Sequence, residues 1–86
     1  MVSTKAKLTN ELGFGMRPAS AFATAMSRFN SSVIIKFNGS DYNAKSLLNI
    51  ISACIQRGDE IEIVAKGPDE NEALAEAIRL IENGLG

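Results

Sequence analysis

Val33-Ile34-Ile35-Lys36-Phe37-Asn38-Gly39-Ser40-Asp41-Tyr42-Asn43 decides the architecture of this chain. Three β-branched residues run into Phe37 and then into Asn38-Gly39, the pair favoured where both positions of a two-residue hairpin turn need positive φ. The stretch reads as two antiparallel strands, at about 33–37 and 40–43. Downstream, Ser46 precedes Leu47, Leu48, Ile50, Ile51, Cys54 and Ile55, so its hydroxyl is placed to accept from an unpaired N–H of a helix over about 47–55. Ile61, Ile63 and Ala65 then alternate with Glu60, Glu62 and Lys66, a further strand ending at Gly67 in spite of Val64. Asp69, Glu70 and Glu72 crowd the next helix start, where carboxylates complement the dipole. Leu74, Ala77, Ile78, Ile81 and Leu85 stripe one face of that helix, which ends at Gly84 or Gly86.

Upstream, Val2, Thr4, Ala6 and Leu8 alternate with Ser3, Lys5, Lys7 and Thr9, a first strand over about 2–9 with one buried face. Asn10 to Met16 breaks all periodicity, and Gly13 and Gly15 permit backbone angles that other residues resist. Pro18 suits a first helical turn, and Ala19, Phe22, Ala23, Met26 and Phe29 follow at helical spacing, giving a helix over about 17–29. The order is β-α-β-β-α-β-α. The first and fourth strands cannot reach their neighbours through short turns. The economical arrangement is therefore an α+β open-faced β-sandwich, a four-stranded antiparallel sheet with three helices on one face. No linker or repeat divides residues 1–86, which read as a single domain.

Composition narrows the function. With 45% hydrophobic and 22% charged residues the chain has ordinary globular usage. A net charge of −1 gives no electrostatic reason to hold nucleic acid. No apolar run approaches the ~18 residues of a membrane helix, and the first dozen residues lack a signal-peptide core, so a cytoplasmic protein without membrane contact is expected. There is no histidine and one cysteine, which excludes a Cys/His zinc site and a histidine base. No metal or cofactor is expected. Cys54 reads as a small packed side chain.

Two places can carry chemistry. Gly13 to Arg17 feeds a helix start with free N–H groups and a guanidinium, the makings of an anion site formed by Arg17 and Met16; in the plainer alternative the glycines only turn the chain. Ser46 is a helix cap whose modification would set a phosphate against the helix terminus, although capping alone accounts for a serine there. The helix after it is apolar nearly all round, since Leu47-Leu48 and Ile50-Ile51 are adjacent pairs. Its excess is either buried by neighbouring helices or exposed to a partner. Glu76 can reach Arg79, and the carboxylates near the last helix serve its dipole rather than a catalytic dyad.

Taken together, Gly13-Phe14-Gly15-Met16-Arg17-Pro18-Ala19, Asn38-Gly39, Asn43-Ala44-Lys45-Ser46-Leu47-Leu48 and Gly67-Pro68-Asp69-Glu70 make the chain resemble the HPr family, the histidine phosphocarriers of the bacterial phosphoenolpyruvate sugar phosphotransferase system. The resemblance spans nearly the whole length and implies the same open-faced sandwich. It implies a phosphate held near Arg17 and a regulatory phosphorylation at Ser46 by an HPr kinase/phosphorylase. The family's histidine position falls on Gly15, and its usual alanine on Met16. Glycine offers no nucleophile and a thioether is only a weak acceptor, so the histidine relay is absent as written.

Histidine lost and serine retained is similar to the catabolite-repression branch of the family, Crh, whose serine-phosphorylated form is a corepressor of the transcription factor CcpA. Asn49, where the family usually has glycine, and Cys54 alter the partner surface. The expected reading is a non-enzymatic regulatory protein. Its docking face would be Met16, Arg17, Ser20, Leu47, Leu48 and Ile51, and its partners an HPr kinase/phosphorylase with CcpA-type regulators or sugar-transport components. Two alternatives stand beside it: an inactive or divergent phosphocarrier, and an interaction domain outside sugar transport.

Overall fold

A computed structural model describes residues 1–85. The elements are β1 (Val2–Lys7), α1 (Met16–Met26), β2 (Ser32–Phe37), β3 (Ser40–Asn43), α2 (Leu47–Ala53), β4 (Glu60–Lys66) and α3 (Glu70–Glu82). The sheet is antiparallel throughout, in the order β1-β4-β2-β3. Only β2 and β3 are joined by a tight turn, and Asn38 and Gly39 adopt the expected positive φ of 52° and 78°. The helices cover one face and bury Val33, Ile35, Ile61, Ile63 and Ala65 against Phe22, Met26, Ile50 and Ile81. This is the α+β architecture that the alternation implies.

Period two sends the other side chains to the uncovered face. There the register aligns Lys5, Glu62, Lys36 and Asp41 across all four strands, a row of alternating sign. Lys36 Nζ reaches Asp41 Oδ1 at 3.1 Å. Each charge opposes unlike neighbours, which supports the pairing and leaves this face poorly suited to stacking on another apolar surface.

The helix ends differ from the periodicity for local reasons. α1 stops at Met26 rather than 29, because Ser27 Oγ donates to the Ala23 carbonyl at 2.7 Å and the next bonds tighten to Arg28 N–Ala25 O and Phe29 N–Met26 O. α2 stops at Ala53, where Cys54 turns left-handed at φ 55° and its N–H closes on the Ile51 carbonyl. The turn exposes the thiol and hands the buried position to Ile55, so the packed role expected of Cys54 is overturned. α3 ends at Glu82 with Asn83 as its C-cap, and Gly84, left-handed at φ 81°, closes it: Gly84 N donates to Ile81 O and Leu85 N to Leu80 O, a Schellman closure that buries Leu85. The alternative end at Gly86 lies outside the described residues. Ala73, Ala77 and Ile81 form the buried stripe of α3, while Leu74 and Ile78 are half-buried at its edge.

One polar clip ties β2 to α3. Asp69 accepts from Asn30 N at 2.9 Å, from Ser31 N at 2.8 Å and from the fully buried Ser31 hydroxyl. Gly67, at φ 148°, permits the close approach, since a Cβ there would lie 2.6 Å from Ser31 Cα. The Ser31 hydroxyl first, and the Asn30 N–H next, hold the Asp69 carboxyl below its ordinary range. A carboxyl whose folded pKa is depressed stabilises the fold above its unfolded pKa of ~3.9, and that contribution disappears as pH falls through the lower folded value. Asp69→Asn is therefore expected to lower the melting temperature at pH 7 and to flatten its decline on acidification, as read by thermal unfolding across pH. An unchanged acid limb would remove the clip from the stability argument.

Candidate functional site

Ser46 sits on a turn with little freedom. Ala44 is buried, and its N–H donates to Val33 O at 2.9 Å, pinning the turn to the sheet. Asn43 Oδ1 accepts from Lys45 N at 2.9 Å, and Asn49 Oδ1 accepts from Asn43 N at 2.9 Å. Lys45 Nζ donates to Phe29 O at 2.7 Å, anchoring the turn to the end of α1. Ser46 itself is extended, at φ −112° and ψ 113°, and caps α2: its Oγ accepts from Asn49 N at 3.2 Å, and its carbonyl accepts from Ile50 N at 3.0 Å. The expected cap is thus in place, and the half-buried hydroxyl is held at the rim of the helical layer.

The loop before α1 is equally fixed. Asn10 Nδ2 donates to Gly13 O at 2.6 Å, Gly15 N to Leu12 O at 3.1 Å and Phe14 N to Ile55 O at 3.0 Å. Phe14 enters the core beside Phe22, with ring centroids 5.2 Å apart. Gly15 is the N-cap of α1, with no side-chain cap and no acid in the first turn. The positive end of α1 is therefore not offset locally, and Arg17 stands exposed beside it.

Of the expected docking residues, Met16, Arg17, Ser20 and Leu47 line one open groove of about 920 Å³ where α1 faces α3 and the start of α2. Leu48 and Ile51 are outside its lining. Leu48 projects into solvent at 77% exposure, whereas Ile51 is half-buried against the core. The excess apolar surface of α2 is thus divided: Ile50 and Ala53 are buried, Leu47 and Ile51 are partly covered, and Leu48 remains open, as does Met16 at 63% exposure.

The far wall of the groove, built from Arg28, Glu76, Arg79 and Leu80, was not apparent as a surface in the sequence. The Glu76/Arg79 spacing signalled the pair but not which helix it faces. Arg79 Nε and Nη2 donate to Glu76 Oε1 and Oε2 at 2.8 and 2.7 Å, which holds the Glu76 carboxyl below and the Arg79 guanidinium above their ordinary ranges. No cluster of potential metal ligands and no helix long and apolar enough to cross a membrane occurs among the described residues.

Comparison with known proteins matches this geometry to one family. The model of the PTS HPr component phosphorylation site matches residues 2–83. The HPr-like protein Crh of Bacillus subtilis is 36% identical over 74 residues, covering 86% of this chain and 87% of its own. The phosphocarrier protein HPr of Treponema pallidum is 35% identical over 83 residues, covering 96% and 94%. Among solved structures, HPr-C-His from Thermoanaerobacter tengcongensis superposes with a TM-score of 0.97 at 31% identity, covering 100% of this chain and 97% of its own. The chain belongs to the HPr family of the phosphotransferase system, with both Crh and HPr proteins among its relatives.

Proposed function

We propose that this chain is a regulatory HPr-like protein, one unit over residues 1–86, switched by phosphorylation at Ser46 in the manner of Crh. It is a protein substrate and adaptor rather than an enzyme. The observation that carries the reading is a combination: a capping serine on a rigid, half-exposed turn, in a chain of the family that has no histidine anywhere. An HPr kinase/phosphorylase would join Ser46 Oγ to the γ-phosphorus of ATP, releasing ADP, with the hydroxyl proton passing to the kinase. The new dianion would sit at the start of α2, beside Leu47 and Leu48. There it changes the charge of the docking face without requiring the turn to rearrange. Met16, Arg17, Ser20, Leu47, Leu48 and Ile51 then present that charge to a CcpA-type regulator or a sugar-transport component. A cytoplasmic setting, where kinase and ATP meet the chain, follows from this reading.

The test is intact mass after incubation with ATP and an HPr kinase. The wild type is expected to gain one phosphoryl group and Ser46→Ala none. The same variant should lose about 1 kcal/mol of stability with the cap. A wild type that gains nothing, or an alanine variant that gains equally, rejects the switch. A second reading, a divergent phosphocarrier, is favoured by one observation: Arg17 and the uncapped α1 terminus remain arranged around Gly15.

A further inference from the structure

The groove between α1 and α3 collects positive charge that the rest of the molecule does not have. Its charged lining is Arg17, Arg28 and Arg79 against Glu76 alone, on a chain whose net charge is −1. Arg79 is satisfied by its two bonds to Glu76, and it remains 58% exposed. Arg28 is exposed and enters no ion pair among the described residues. After the Arg79 bonds, its charge adds to the pull that holds the Glu76 carboxyl down, so this carboxylate shares the groove with one guanidinium from α3 and one from the turn that follows α1. The floor between them is apolar, formed by Ala21, Ala25 and the partly buried Leu47 and Leu80.

From this surface we infer that the groove is a second docking element for a protein partner presenting carboxylates, with Arg28 and Arg79 as its anchors. The argument is charge complementarity. An acidic segment meets a surplus of two guanidinium charges over an apolar floor, whereas the carboxylate-rich remainder of the chain would repel it. The groove reaches Leu47, the residue after Ser46, so a partner engaging it also covers the rim where the hydroxyl stands. The inference rests on the Ser46 reading and assigns the acidic surface to the kinase that modifies that serine.

Steady-state phosphorylation of Ser46 by the HPr kinase, at low and high ionic strength, tests it. The double variant R28E/R79E is expected to raise KM about tenfold at low salt, to leave kcat within about twofold, and to lose most of the wild type's salt dependence. R28K/R79K should keep KM near the wild-type value because it retains the charge. K5E, on the uncovered sheet face, should change nothing. A KM unmoved by R28E/R79E, or raised equally by K5E, overturns the inference while leaving Ser46 as the acceptor. Absence of phosphorylation in the wild type overturns both. Self-association through the groove, or retention of duplex DNA by it, with KM unmoved, identifies another occupant and also overturns the assignment.

Discussion

Gly15→His is expected to fold with its stability changed by no more than about 1 kcal/mol and to acquire an acid-labile phosphoryl group from phosphoenolpyruvate through enzyme I, where the wild type acquires none. Gly15 lies at φ −67° and ψ 179°, ordinary extended backbone, and a Cβ there would meet nothing closer than Leu12 at 3.5 Å. Nothing in the backbone demands glycine. An imidazole would start at the uncapped terminus of α1, next to an exposed Arg17, where a transferred phosphoryl group meets N–H groups and a guanidinium. Labelling by purified enzyme I, followed by acid and base treatment, separates phosphohistidine from phosphoserine. A folded variant that stays unlabelled would mean that the surroundings of Gly15 no longer support transfer, and the divergent-carrier reading would fall.

Two residues earlier the same kind of substitution should be severe. Gly13→Ala is expected to cost about 3 kcal/mol or more, measured by urea unfolding. Gly13 has φ 56°, and its added Cβ would lie 2.6 Å from Ile55 O and 2.7 Å from Gln56 Cα. Both obstacles are backbone and cannot swing aside. The Ile55 carbonyl is also the acceptor for Phe14 N, so moving it would loosen the bond that holds Phe14 in the core. A loss below about 1 kcal/mol would show that the loop relaxes freely, and its rigid description would be wrong.

These glycines mark where the sequence is legible. Both read as sources of conformational freedom, yet only Gly13 uses it, because what requires it is the Ile55–Gln56 backbone over forty residues away. Local chemistry announced what is settled locally: the Asn38-Gly39 turn, the Ser46 cap, the Glu76–Arg79 pair and the alternation of β1 and β4. The exposure of Cys54 escaped, since helical spacing places it on the buried stripe and only the left-handed residue ends the helix first. The Ser31–Asp69 clip and the groove wall escaped for a related reason. Their partners are brought together by packing of α3 against α1 and the sheet, which no window of sequence contains.

The exposed thiol at the end of α2 gives the molecule a single chemical address. Cys54 is its lone sulfhydryl, and the helix α2 separates it from Ser46 by eight steps of ~1.5 Å rise, a span of roughly 12 Å. A maleimide dye would attach there once and only there, without any engineered cysteine. From that distance its emission would report both the arrival of a dianion at Ser46 and the approach of whatever protein comes to read it.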